Sequence, residues 1–513
     1  MSITSGMVAM LFVAVEFISI AKAAEPIITY PLRGCYYPNW AQYRPGVASF
    51  KPGNVDPSLC TYVLVAFGQI SGNQLTTLEW NDEAAFQQLN ALKASNPNLK
   101  ILYSVGGWTL TSQLVSMAAT PSSRATFVQS AVTQLRKYNL DGLDVDWEFP
   151  SASDAPQYSA LLTELRAAFD AEGRQTGKQR LMLTAALHLL SDGGYSGSVL
   201  NKTLDIANVM TYDMYGAWSP NQVGHQAPLF KGPFGTPSAL NTAQIMLDWA
   251  AAGVDKSKLA VGLPLYGRGW MSSSSQHGLG SPATGPITAS TYTTESGSWP
   301  YFEICSKIAS EKATKVFDTN IQAAYAYTNT WWMGYDDQQT IIAKTQWAKQ
   351  NGFGGVYVWD LSTDDFMNMC GQGKNPLLTA IRDTLAGTST QTTTQLPSSS
   401  TARTATMTTT ARPISTTRTS PTTTTTRSTA RPVPTTTTTK SGSSTVSGVS
   451  SVCGRDLCQK NGPGSFAVQA CSPAYCDCDA NGNAFYRQCG NSLVFDPVKK
   501  YCNWKSSVTG CKI

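Results

Sequence analysis

The sequence predicts an α/β protein: a (β/α)8 barrel with a small α+β insertion, then a Thr/Ser-rich linker and a small disulfide-rich C-terminal module. Three observations carry this. Eight apolar, β-rich stretches recur between residues 34 and 361, and helical patterns follow most of them, an alternation that implies a parallel sheet. The interval between the seventh and eighth stretches is too long for a single helix. Eight of the twelve cysteines crowd into the last 61 residues, behind a segment that lacks acidic residues.

The chain has 513 residues, more than one ordinary core accommodates. Its first residues read as a secretory signal, residues 1–23: an apolar run from Met7 to Ile20, then the small-x-small pattern Ala21-Lys22-Ala23. No Lys or Arg precedes the run, Glu16 interrupts it, and it is short for a membrane span of about 20 residues. A secreted, extracellular protein with no membrane partner after signal removal is therefore expected, and the twelve cysteines fit that compartment.

The predicted strands are Gly34–Asn39, Thr61–Ile70, Lys100–Trp108, Leu140–Phe149, Leu181–His188, Ile206–Gly216, Leu259–Arg268 and Phe353–Leu361. Helical patterns cover Asp82–Ser95, Ser123–Asn139, Ala155–Glu172, Asn241–Ala252 and Asp337–Gln350. Eight such units within residues 25–386 match a barrel. An open doubly wound sheet is the competing architecture, but Cys35–Trp40 offers no Gly-rich phosphate turn after the first strand. Residues 269–334 contain alternating strand-like pieces and read as the insertion beside the barrel mouth. Asn201-Lys202-Thr203 is an N-glycosylation sequon.

Residues 387–452 are dominated by Thr and Ser and carry Arg403, Arg412, Arg418, Arg427, Arg431 and Lys440. Such a segment cannot bury a core and reads as an extended, O-glycosylated linker. Much of the net charge of +5 lies there rather than on a folded surface, so a nucleic-acid partner is not suggested. In residues 453–513 the cysteines Cys453, Cys458, Cys471, Cys476, Cys478, Cys489, Cys502 and Cys511 would act as staples. Zinc is the competing reading of Cys471, Cys476 and Cys478, but this unit lacks histidine. Phe466, Tyr475, Phe485, Tyr486, Phe495, Tyr501 and Trp504 are too many aromatics for so small a core, and some should form a platform for sugar rings.

The chemistry concentrates in Leu140–Pro150, LDGLDVDWEFP. Asp144, Asp146 and Glu148 stand two apart and so share one face of a strand, with Leu143, Val145, Trp147 and Phe149 on the other. Carboxylates crowded on one buried face raise each other's affinity for a proton, the setting for a general acid. An acidic edge strand or a calcium site is the alternative, against which Gly142 and the apolar face argue. His188, His225 and His277 fit no triad or metal pattern, and no metal or cofactor is expected.

DGLDVDWEFP resembles the signature of the glycoside hydrolase family 18 chitinases, and Tyr103–Trp108, Met210–Asp213, Tyr266–Arg268 and Trp331–Asp337 are similar to further family motifs. The resemblance covers roughly residues 30–386 and is to animal-type members. It implies Cys35–Cys60 and Cys305–Cys370 disulfides. It also implies that Glu148 protonates the glycosidic oxygen while the sugar's own 2-acetamido carbonyl attacks the anomeric carbon. Asp146 would hold the acetamido N–H, Asp144 would keep a proton for Asp146, and Tyr212 and Asp213 would support the same group. By family position, Tyr36, Trp40, Phe67, Gly106, Gly107, Trp108, Met210, Trp218, Tyr266, Arg268 and Trp359 would line the cleft. At Ser362-Thr363 the sequence departs from the many members that carry a further Asp there.

The C-terminal unit resembles a peritrophin-type chitin-binding module through six cysteines and the run FDPVKKYCNW, which points to Tyr486 and Trp504 as binding residues. Cys453 and Cys476 stand outside that spacing and are available to pair with each other. The expected partners are chitin and chito-oligosaccharides, and the expected state is a monomer. The alternatives are a lectin on the same fold, a glycosidase for N-glycans and a structural matrix protein.

Overall fold

The computed structural model describes residues 27–232, 240–272 and 275–388, together with short stretches between 460 and 511. The chain divides into two compact units, Met1–Ser389 and Thr390–Ile513. The expected signal, nearly all of the linker, and Cys453, Cys458 and Cys489 lie outside the described residues, as do the side chains of Tyr486, Cys502 and Trp504. Among the described residues, no helix is long and apolar enough to cross a membrane.

In the first unit, eight parallel strands form a closed ring in chain order: Leu32–Pro38, Tyr62–Ser71, Lys100–Gly106, Gly142–Asp146, Met182–Leu187, Ile206–Val209, Leu259–Pro264 and Gly355–Trp359. The first strand pairs with both the second and the eighth, which closes the barrel. The period-two pattern sorts side chains into two cores. Leu143, Val145 and Trp147 pack outward against helix residues such as Phe127, Leu161 and Leu165. Tyr36, Tyr62, Leu64, Leu102, Met182, Ile206 and Tyr357 fill the interior. The helices start where their sequences supply caps: Thr120 accepts from the Ser123 N–H ahead of Pro121–Lys137, and Asp337 accepts from the Thr340 N–H ahead of Gln338–Gln350.

Six predicted strands are shorter than expected, and in three of them the difference relocates site residues. The fourth ends at Asp146, so Glu148 lies two residues beyond it. The sixth ends at Val209, because the Thr211 hydroxyl donates to the Gly262 carbonyl and the chain turns through Asp213 at φ +58°. The stretch Leu259–Arg268 is two strands meeting at a corner, where Leu265 N–H donates to the Trp359 carbonyl and the Leu265 carbonyl accepts from Tyr301 N–H. Tyr266 and Arg268 therefore belong to the insertion, not to the barrel. The insertion is an antiparallel sheet of Tyr266–Ser272, Ala283–Pro286, Ser298–Pro300, Thr314–Asp318, Ala323–Tyr327 and Trp331–Tyr335, with the helix Tyr301–Glu311. Disulfides join Cys35 to Cys60 and Cys305 to Cys370, the pairings implied by the family resemblance.

In the second unit, Gly464–Ala467, Ala474–Cys478 and Ala484–Gln488 form a three-stranded antiparallel sheet, and Leu493–Asp496 pairs with Tyr501–Trp504. Cys471 is bonded to Cys511, and Cys476 and Cys478 are also disulfide-bonded. Phe495 is buried with Tyr475 stacked on it at 4.5 Å, so these two aromatics serve the core of the unit.

The insertion returns to the barrel through a buried ion pair. Lys344, on helix Gln338–Gln350, holds both oxygens of Asp336 at 2.7 and 2.6 Å. His225 is buried beside this pair, with Nδ1 accepting from Ala227 N–H and Nε2 donating to the Ala324 carbonyl. Burial, followed by the Lys344 charge, pushes its pKa down to about 4, so it is neutral and structural. Removing one partner of a buried pair strands the other charge and costs about 3–5 kcal/mol. Lys344→Met should lower unfolding stability by about that amount, and adding Asp336→Leu should recover much of it. A single-variant loss below about 1 kcal/mol in denaturant unfolding would contradict this role.

Candidate active site

The site is assembled from strand register. Ser104, Asp144 and Thr184 are neighbours on the third, fourth and fifth strands, and all point into the barrel. Asp144 is fully buried. Its Oδ2 accepts from the Tyr36 hydroxyl at 2.8 Å and the Ser104 hydroxyl at 2.7 Å, and its Oδ1 accepts from Thr184 at 2.6 Å. Burial pushes its pKa up, and the three hydroxyl bonds pull the other way.

Asp146 sits one pleat closer to the barrel mouth and is nearly as buried. Its Oδ1 has no hydrogen-bond partner. Burial first, then the Glu148 and Asp144 charges, holds its pKa well above the usual carboxylate range. Glu148 is partly open. Its pKa is pushed up to about 7, by burial first and then by the Asp213 charge, while the Trp108 backbone N–H pulls it down. Asp213 thus adds to the carboxylate repulsion expected along the fourth strand, where Asp146 and Glu148 raise the proton affinity of the site together. The Glu148 N–H is itself tied to Thr111 Oγ1 at 3.0 Å.

Glycines let the third strand approach. Gly106 lies opposite Asp146, and Gly107 N–H donates to the Asp146 carbonyl at 2.8 Å. Both have positive φ, +111° and +77°. A Cβ on Gly106 would fall 2.2 Å from the Asp146 carbonyl oxygen, and one on Gly107 2.6 Å from the Phe67 ring.

Asp213 is locked by two residues of the insertion. It accepts from the Tyr266 hydroxyl at 2.7 Å, and from Arg268 Nε and Nη2 at 2.8 Å each. Arg268 also pairs with Glu295 at 2.7 Å and lies over the Trp218 ring at 5.4 Å. Tyr212 is buried beside Tyr266, with its hydroxyl 3.0 Å from that of Tyr357.

The aromatics divide into two groups. Trp40, Phe67, Met210 and Trp359 are partly buried on the interior core. Phe67 stacks between Trp40 and Trp359, at 5.6 and 5.9 Å, and Trp359 also meets Tyr36 at 5.1 Å. Trp108 and Trp218 stand exposed at the rim, 72% and 57% accessible. Behind Trp359, the Ser362 N–H donates to Asp360 Oδ1 at 2.8 Å, and Arg44 donates to Ser362 Oγ at 2.8 Å, so the residue that departs from the family pattern is built into a polar cluster. The peptide bonds Ala66–Phe67, Glu148–Phe149 and Trp359–Asp360 are cis.

The expected barrel residues therefore converge. The sequence pattern did not single out the partners Ser104, Thr184, Thr111, Glu295 and Tyr357. Alternation along the fifth and eighth strands, placing Thr184 and Tyr357 inward, was the available signal. Asn201, of the sequon, lies on helix Gly197–Thr203 with Oδ1 accepting from Asp255 N–H, and Thr203 is buried with its hydroxyl donating to the Val199 carbonyl.

Residues 33–364 match the family model of Glycosyl hydrolases family 18, and residues 458–511 match that of the Chitin binding Peritrophin-A domain. Chitotriosidase-1 of Mus musculus is 41% identical over 364 residues, spanning 68% of this chain and 77% of the relative. The structure of an immunomodulatory active chitinase from Trichuris suis superimposes with a TM-score of 0.67 at 37% identity, covering 69% of this chain and 99% of that one. Human YKL-39, described as a pseudo-chitinase with retained chitooligosaccharide binding properties, gives a TM-score of 0.67 at 33% identity over 69% and 99%.

The electrostatics are directly measurable. A carbon-13 titration of the glutamate carboxyls, with Glu148→Gln to identify the resonance, should give Glu148 a midpoint of about 7. A midpoint at the ordinary value of 4.5 would contradict the burial described here.

Proposed function

The chain belongs to glycosyl hydrolase family 18, and from that membership we propose that it is a secreted chitinase. It would cleave β-1,4 bonds between N-acetylglucosamine units, with retention at the anomeric carbon. One observation carries the reading: of the carboxylates around the site, only Asp146 offers a buried oxygen that nothing yet binds. Asp144 is bound by three hydroxyls, and Asp213 by Tyr266 and Arg268.

Glu148 has the pKa of a proton donor that works near neutrality, and it gives its proton to the glycosidic oxygen. An ordinary retaining enzyme would need a second carboxylate as nucleophile, about 5–5.5 Å from the first and across the bond. Asp146 is two residues from Glu148 on the same side of the bond and cannot attack the opposite face of the sugar. The nucleophile is therefore the substrate's own acetamido oxygen, which closes onto the anomeric carbon as an oxazolinium. Asp146 Oδ1 accepts the acetamido N–H and offsets the positive charge that develops there. Asp144 keeps the proton the two carboxyls would otherwise share, which leaves Asp146 ionised and free to turn towards the substrate. Tyr212 donates to the acetamido oxygen, and Asp213 keeps Tyr266 and Arg268 in place beside it. Water then opens the oxazolinium with Glu148 acting as base, which restores the starting anomer.

The stacked rings of Phe67 and Trp359 suit the apolar face of the sugar before the scissile bond, and the insertion raises one wall of the cleft, which favours internal cleavage. The C-terminal domain would hold the enzyme on insoluble chitin. Likeness to human YKL-39 favours a second reading, chito-oligosaccharide binding without turnover.

Release of soluble oligosaccharides from chitin separates the two. Glu148→Gln should cut kcat by a factor on the order of 10²–10⁴, and the wild-type rate should fall as pH rises through about 7, where the acid loses its proton. Equal activity of the two proteins contradicts the acid assignment, and inactivity of both supports the binding reading. Removing residues 387–513 should lower the rate on insoluble chitin by about tenfold or more while sparing short soluble oligomers; an equal loss on both contradicts the tether.

A further inference from the structure

We propose that Tyr357 is a positioning residue of this site: its hydroxyl donates to Tyr212 Oη and so turns the Tyr212 proton outward, towards the sugar. The inference rests on the reaction proposed above. Tyr357 lies on the eighth barrel strand, two residues before Trp359, and therefore on the same inward face. It is fully buried, whereas Tyr212 keeps a small opening to solvent. Their hydroxyls are 3.0 Å apart, and either could donate by distance alone.

Burial decides the direction. Among the described residues, Tyr212 is the only hydrogen-bond partner of the Tyr357 hydroxyl. If Tyr212 were the donor, the Tyr357 proton would be left buried without an acceptor. If Tyr357 is the donor, its proton is satisfied, and the Tyr212 proton points to the cleft, where water or substrate accepts it. A hydroxyl that accepts one hydrogen bond also donates a stronger one.

The surroundings are shaped for this pair. Gly262 is the register partner of Tyr357 on the seventh strand. A Cβ there would lie 3.0 Å from the Tyr357 hydroxyl, 2.8 Å from the Tyr212 ring and 2.5 Å from the Val209 carbonyl, so a larger residue would push the two phenols apart. The Tyr36 ring packs edge-on against Tyr357 at 5.8 Å and limits its swing.

A double-mutant cycle with Tyr357→Phe and Tyr212→Phe tests the idea, using tetra-N-acetylchitotetraose as substrate. Tyr357→Phe should lower kcat about three- to tenfold with little change in KM, and should have no further effect once Tyr212 is Phe. Tyr357→Leu, which also removes the donor, should follow the same cycle. Calorimetric binding of a chitobiose thiazoline, a stable analogue of the oxazolinium, to the same variants repeats the cycle without turnover. A wild type that binds but does not cleave would sink the proposed reaction, and the binding cycle would still decide the role of Tyr357. Additive losses in the cycle, or no loss from either Tyr357 variant, overturn the proposal.

Discussion

Asp144 sits inside the barrel with three hydroxyls on its two oxygens, and those hydroxyls come from the first, third and fifth strands. A buried carboxylate costs several kcal/mol unless it is hydrogen-bonded or protonated, so the arrangement works only when these strands close at one register. That register also sets what stands above it. One pleat up is Asp146, opposite Gly106, and just past the strand end is Glu148. The chemistry at the barrel mouth thus depends on polar satisfaction in the layer beneath it.

The layer above is tuned by what can approach it. Two glycines with positive φ bring the third strand against Asp146 and Phe67, where any side chain would collide. Asp213, on a tight turn after the sixth strand, is held by an arginine and a tyrosine that the insertion supplies. The insertion is therefore more than a wall, since through Arg268 and Tyr266 it holds the Asp213 charge that adds to burial in raising the Glu148 pKa. The Lys344–Asp336 pair anchors the other end of the same insertion.

Much of this was legible before the structure. The alternation in LDGLDVDWEFP put the carboxylates on one strand face and Leu143, Val145, Trp147 and Phe149 on the other. Leu143, Val145 and Trp147 join the outer core because a parallel barrel strand is buried on both faces, whereas Phe149, past the strand end, packs on His188. The eight strands and their order were readable for the same reason. What was not readable depends on pairing between distant segments. Ser104 and Thr184 flank Asp144 only through register, and Tyr357 meets Tyr212 across 145 residues. The Asp213 contribution to the Glu148 shift was not readable, because the turn after the sixth strand lies far from Glu148 in sequence. Tyr266 and Arg268 were read as barrel because one apolar run covers two strands that meet at Leu265.

The central claim is that the sugar's acetamido group is the nucleophile, drawn in by the unpartnered oxygen of Asp146. Sequencing the products from partially deacetylated chitosan tests it most directly, because each cleavage labels the residue that occupied the subsite before the scissile bond. The account predicts N-acetylglucosamine at essentially every newly formed reducing end, whatever the composition elsewhere. New reducing ends that carry glucosamine in proportion to its abundance would contradict it.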